Sequence, residues 1–325
     1  MTNSYQQKIN NQNREKYLNM SKLNNDNQMM TIIEYNTARD INVQFKNGEI
    51  VYHTSLQSFN RGAIRQPEKR IGHVGYTKHG DKFIVLNYID SQHVDIEFQD
   101  KWKYKCIVSW QKVITGSIKN PYHPNKYGGI IGTNKDICDD DFDISTSKEY
   151  NAWFNILLRA KDMEFKKSHK SYLEVTICDE WMYFWNFYKW CKTQDNYHKW
   201  QQNENWAIDK DIMLKGNKEY SPRTCCIVPQ NINNLLLKHD KRRGNYPIGV
   251  TKRKTDNMFE AQCSNPIIGK YVTIGIYNTY EEAFKAYKLY KEKIIADVAN
   301  VEYSTGNITH ECYLSLLSYS VEIND

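Results

Sequence analysis

The chain has no C-x-x-C pair, and no histidine falls inside its most catalysis-like motif. It also has no apolar run near the roughly eighteen residues that a membrane helix requires. Each absence excludes something. The eight cysteines, Cys106, Cys138, Cys178, Cys191, Cys225, Cys226, Cys263 and Cys312, are scattered. The adjacent Cys225 and Cys226 are poorly placed to chelate one ion together, so a zinc clip is not expected. No apolar h-region opens the sequence, and neither secretion nor membrane insertion is expected. The thiols are then expected to be reduced, in a cytoplasm.

What is present is an Asn-, Lys-, Tyr- and Ile-rich composition of the kind an AT-rich genome encodes. The length of 325 residues exceeds one typical domain, and roughly two to four modules are expected. Hydrophobic residues make up 40%, enough for real cores, and 24 tyrosines and 8 tryptophans give those cores polar edges. The net charge of +6 suits a nucleic-acid partner but does not demand one.

Residues 1–28 form a polar, Asn/Gln-rich arm, expected to be mobile or one weak helix. Residues 29–80 and 81–133 read as two copies of a small β module. Ile41, Val43 and Phe45 alternate in the first, and Val94, Ile96 and Phe98 in the second. Each copy ends in a G-x-I-x-x-P turn, Gly62 to Pro67 and Gly116 to Pro121. Arg61, Arg65, Lys69, Arg70, Lys112 and Lys119 fall near the loops, which suits either a pair of binding barrels or a structural pair with solvated charges. Residues 134–147 are an acidic linker in which Asp139, Asp140 and Asp141 are more simply solvated than cation-binding. Tyr150, Trp153, Ile156, Leu157 and Ala160 then mark an amphipathic helix. A short strand is expected over Tyr172–Cys178, followed by Asp179 as a possible cap. The stripe Trp181, Phe184, Trp185, Phe187, Tyr188 and Trp190 has the spacing of a packed core, with base stacking as the rival reading.

From Gly249 onward the signals sharpen. Val250-Thr251-Lys252, Phe259 to Cys263 and Tyr271 to Tyr277 are three runs separated by turn residues, predicting an antiparallel meander. Thr279 is placed to cap a helix, with Glu281 and Glu282 in its first turn and Ala283, Ala286, Tyr287 and Tyr290 on one face. Lys252, Arg253 and Lys254 on the first hairpin, and Lys241, Arg242 and Arg243 before it, offer cations to a phosphate backbone. Over roughly fifty positions this pattern resembles the Apetala/ethylene-response-factor type of DNA-binding domain. The resemblance implies a three-stranded sheet in the major groove backed by one helix.

Upstream, Asp209-Lys210-Asp211 is followed by Gly216-Asn217, Tyr220-Ser221-Pro222 and Cys225. The expected layout is strand, tight Gly-Asn turn, strand, helix. It resembles modules of phages and mobile elements related to HNH homing endonucleases. That resemblance implies a ββα unit holding one divalent metal such as Mg²⁺, with Asp209, Asp211 and Asn217 as metal or turn residues. Lys210 stands where the family places its general-base histidine; His198 precedes the motif and His239 follows it.

The expectation is an α+β multidomain chain. It comprises tandem small β modules, an HNH-like ββα unit with flanking aromatic helices (148–237), a basic linker (238–248), a three-stranded sheet plus helix (249–303) and a tail (304–325). The expected partner is double-stranded DNA, with a host protein as a further candidate and no membrane. The expected activity is that of a weak metal-dependent endonuclease or, alternatively, of a catalytically inactive binding protein, a transcriptional regulator or a factor that engages a host protein or defence, in the cytoplasm of a bacterial host.

Overall fold

Short runs of alternating apolar residues give short strands, and the fold is a series of small antiparallel sheets rather than one large one. The computed structural model describes residues 11–67, 70–136, 142–203, 205–236 and 246–324. It divides into two units, residues 1–123 and 124–325, in an α+β arrangement. Among the described residues no helix is long and apolar enough to cross a membrane.

The first unit is the repeat. Strands β1 (Ser21–Leu23), β2 (Met29–Thr37), β3 (Asp40–Phe45) and β4 (Ile50–Thr54) form one antiparallel meander, followed by helix α1 (Leu56–Asn60). Strands β5 (Val74–Tyr76), β6 (Lys82–Tyr88), β7 (Val94–Phe98) and β8 (Lys105–Val108) form another, followed by α2 (Trp110–Thr115). Ile41, Val43 and Phe45 fill one core, and Val94, Ile96 and Phe98 the other. The correspondence extends to the backbone. Gly62 and Gly116 both lie at positive φ, 67° and 64°. Their carbonyls accept from Asn25 N–H at 2.8 Å and Lys78 N–H at 2.9 Å.

The expected boundaries are displaced, because each copy begins earlier than the alternation signal does. β1 lies inside the supposed arm and β5 inside the supposed first copy. Both are three-residue edge strands with mostly exposed side chains, so no hydrophobic period announces them. Residues 11–17 of the arm are helical, and Tyr17 stacks on Tyr35 at 5.7 Å. The sheets are open four-stranded meanders, not barrels.

In the second unit, α3 (Lys148–Lys161), α4 (Met163–Ser168), α5 (Phe184–Thr193) and α6 (Tyr197–Gln202) enclose an aromatic core. Trp153, Trp181, Trp185 and Trp200 are all fully buried there, which settles the aromatic stripe as packing. The expected strand over 172–178 shrinks to β9 (Thr176–Ile177), paired in parallel with β11 (Glu219–Tyr220). Asp179 does not cap α5; it opens a 3₁₀ turn, and Tyr183 precedes the helix without a side-chain cap bond. The flanks of the acidic linker are ordered, with Phe142 against Tyr188 at 4.8 Å; Asp139, Asp140 and Asp141 lie outside the described residues.

Strand β10 (Trp206–Asp209) pairs antiparallel with β12 (Cys226–Pro229), and α7 (Gln230–Leu235) follows. Alternation along β12 makes this hairpin a shared wall. Ile227 points into the aromatic core, while Cys226 and Val228 enter the next one. That second core lies under β13 (Val250–Lys252), β14 (Phe259–Asn265) and β15 (Lys270–Tyr277), backed by α8 (Tyr280–Ser304) and α9 (His310–Leu317). The ββα unit and the C-terminal sheet are therefore packed together, not strung on a linker. The expected tail is structural too: Cys312, Leu316 and Val321 are buried in the same core.

Helix α8 starts as its sequence predicts. Thr279 Oγ1 accepts from Glu282 N–H at 3.2 Å, and the Glu282 carboxylate accepts from Thr279 N–H at 3.3 Å, a complete capping box. Thr279→Ala is expected to lower stability by about 1 kcal/mol through the lost cap. Thermal melting checks this, and an unaltered melt would remove the capping role.

Candidate nucleic-acid interface

Side chains alternate across the C-terminal sheet, so its two faces follow from register. Val250, Ala261 and Cys263 point inward onto α8 and are buried. The opposite face carries rows of cross-strand neighbours: Thr251, Glu260 and Ile276, then Gln262 with Thr273, then Ser264 with Tyr271. A bulge lies between Ala261 and Gln262 in this pairing, and Ile274 packs on the core. The outer face is exposed, with Tyr271 at 79%. Thr273 Oγ1 donates to Glu260 Oε1 at 2.9 Å. Hydrogen bonds from Gln262 and Thr273 hold the Glu260 carboxyl below the usual carboxylate range.

Register also divides the three cations of the first hairpin. Lys252 is opposite Phe259, on the helix side of the sheet, with its ammonium 5.9 Å from that ring. Arg253 pairs with Asp256 at 3.3 Å across the turn. Lys254 is exposed at the tip. Lys241, Arg242 and Arg243 lie outside the described residues, as does His239.

The hairpin motif is organised differently from the sequence expectation. Gly216 and Asn217 do not form a tight turn between paired strands; they sit within the longer connection of residues 210–225. Asp209 Oδ1 accepts the N–H groups of Asp211 at 2.6 Å and Ile212 at 2.9 Å, which fixes the chain as it leaves β10. Lys210 is buried, and its Nζ donates to Asp211 Oδ1 at 2.5 Å and to the Asn217 carbonyl at 3.0 Å. Asn217 Nδ2 donates to the carbonyls of Lys210 at 2.8 Å and Glu219 at 2.7 Å. Asn217 thus braces the loop. Cys225 is buried, and burial pushes its thiol up to about 12, far from a reactive thiolate.

A divalent cation at this motif needs oxygen donors free to face it. One Asp209 oxygen is spent on two backbone N–H groups, Asp211 is engaged by an ammonium, and Asn217 bonds the backbone. Among the described residues no three His, Cys, Asp or Glu side chains converge in a metal-holding arrangement. The donor set here does not fit a divalent metal.

Burial raises the Asp209 carboxyl above its ordinary value. A native value above the unfolded one contributes stability that is fully present below the unfolded value. That stability is lost as pH rises through the native value. Asp209→Asn keeps an oxygen for the two N–H groups but cannot titrate. Its stability is expected to fall less steeply than wild type from about pH 4 upward. Urea midpoints across that range check this; parallel profiles would contradict it.

Two basic residues of the repeat have partners within it. The Arg70 guanidinium lies 4.1 Å from the Tyr88 ring and 5.1 Å from the Trp110 ring, and Arg65 approaches Asp26 at 3.8 Å. Lys69 is outside the described residues. Two groups escaped the sequence reading. Arg159 reaches from α3 to donate to the Tyr220 hydroxyl at 3.2 Å, a contact with no local sequence signal. The Glu260–Gln262–Thr273 cluster was detectable, because Glu260 and Gln262 alternate with the inward Ala261 and Cys263. Comparison with protein-family models, curated proteins and solved structures finds no match to this chain.

Proposed function

We propose that the chain is a double-stranded-DNA-binding protein of phage or mobile-element type, which lays the outer face of its C-terminal sheet into the major groove. The observation that carries this reading is that polar, exposed face, held rigid by a long capped helix and flanked by a cationic hairpin tip. A major groove about 12 Å wide admits such a ribbon. Phosphate contacts from Arg253 and Lys254, with Lys241, Arg242 and Arg243 preceding them in the chain, supply sequence-independent affinity.

The ββα hairpin serves in this reading as the wall that joins the two cores. Binding without cutting is proposed because Lys210 engages Asp211 and Asp209 caps the backbone. A cleavage assay with Mg²⁺ or Mn²⁺ tests it. Cleavage by the native chain that disappears in Asp209→Ala and Asp211→Ala would replace this reading with a metal-dependent endonuclease.

Neutralising Arg253 and Lys254 together is expected to weaken duplex binding roughly ten-fold or more. It should also flatten the dependence of log affinity on log salt by about one to two units. Anisotropy titrations at two salt concentrations measure both. Equal affinities would remove these cations from the interface.

A further inference from the structure

Phosphate contacts set affinity but carry no sequence information, so a reader of DNA needs groups aimed at base edges. The outer face of this sheet lacks lysine and arginine in its paired rows. What it offers is a carboxylate bonded to a hydroxyl and set two residues from an amide on the same face, flanked by methyl groups. We propose that Gln262, oriented by Glu260 and Thr273, reads an adenine in the major groove and makes the protein selective for a site containing an A·T pair at that position. The inference rests on the reading that this face enters the major groove.

The chemistry runs as follows. An ionised carboxylate accepts hydrogen bonds and donates none. Glu260 and Gln262 share the outer face two residues apart, so the carboxylate attracts the NH₂ side of the Gln262 amide and repels its oxygen. Thr273 donates its hydroxyl hydrogen to the same carboxylate at 2.9 Å and holds it across the strand pair. The Gln262 amide retains its Oε1 acceptor and a second N–H. Adenine presents N6–H₂ as donor and N7 as acceptor on its major-groove edge, the complement of that pair. Thr251 and Ile276 occupy the row of Glu260 on the outer strands, and their methyl groups suit the thymine C5-methyl. Glu260 adds discrimination by repulsion. Its charge opposes the guanine O6 acceptor where adenine presents its N6–H₂ donor, so guanine in place of that adenine meets an unfavourable group. Glu260 and Thr273 are positioning residues in this scheme, and Gln262 makes the base contact.

Selection from a randomised duplex library with the full-length chain tests the proposal, followed by titrations on the selected site and its single-base variants. The native protein is expected to select a motif with a fixed A·T position. Gln262→Ala should lose about ten-fold or more of the preference at that position while retaining its affinity for unrelated duplex. Glu260→Gln should reduce the same preference and bind unrelated duplex more tightly, a change that a merely structural role would not give. Unchanged melting temperatures confirm that both variants fold. If the native chain binds duplex but selects no A·T position, or if Gln262→Ala keeps the full preference, this inference fails and the binding reading stands. If the native chain binds no duplex at all, both fail.

Discussion

Trp153→Ala is expected to cost about 3–5 kcal/mol, the largest loss from any single truncation considered for this chain. Trp153 is fully buried, 5.5 Å from the Phe184 ring and 5.9 Å from the Tyr150 ring. Its Nε1 donates to the Trp181 carbonyl at 2.6 Å, so truncation also leaves that carbonyl short of a donor. The site has little freedom to collapse, since Gly129 already packs against the indole: a Cβ added there would meet it at 2.8 Å. Urea denaturation followed by far-ultraviolet circular dichroism reads the loss. Trp153→Phe separates its parts, keeping most of the apolar contact and losing the N–H. A cost below about 1 kcal/mol for Trp153→Ala would mean that this core is not what holds the second unit together.

Gly249→Ala is expected to cost about 3 kcal/mol and to abolish duplex binding. Two effects add. The backbone at Gly249 lies at φ +76°, where a Cβ costs about 1–2 kcal/mol. A Cβ there would also meet the Tyr287 ring at 2.1 Å, an overlap that must push β13 away from α8. The Gly249 carbonyl accepts from Gln262 N–H at 2.8 Å, so the displacement reaches the outer face directly. Gly269 provides the control. It has φ +65° with nothing within 4 Å of an added Cβ, so Gly269→Ala should show the backbone term alone, about 1 kcal/mol. Equal losses for the two glycines would show that Tyr287 yields without cost.

The features that could be read from the sequence are those with a local period. Alternation in β14 and β15, the Thr279–Glu282 capping box and the tryptophan-bearing helices all declare themselves within a few residues. The features that could not be read depend on distant pairing. β1 and β5 are too short and too exposed to show a pattern, so the repeat was framed several residues late. The union of the ββα hairpin with the C-terminal sheet rests on long-range packing such as that of Cys226 and Cys312, both buried in one core. No local pattern announces such a contact. Gly216-Asn217 misled because a braced loop and a tight turn use the same residues. Lys252 misled for a different reason: shifting one residue along a strand exchanges faces, so a run of three cations cannot share one surface.

The site itself was half legible. Cationic residues near the first hairpin were evident, but Lys252 lies on the wrong face and Arg253 carries a carboxylate partner. The acidic motif was evident as well, but not the contacts its side chains make. In sequence a lysine stands between two aspartates; in the fold its ammonium holds Asp211 and the Asn217 carbonyl, a loop contact with no local signal.

Titration of the full-length chain with a labelled duplex of random sequence, from about 50 to 200 mM salt, tests the central claim most directly. Binding by basic residues along a phosphate backbone releases about 0.9 counterion per contact, so log affinity should fall linearly and steeply with log salt. A fall of several units of slope, partly lost in the Arg253 and Lys254 double variant, is the expected result. Absence of binding at the lowest salt, or an affinity indifferent to salt, would contradict the account.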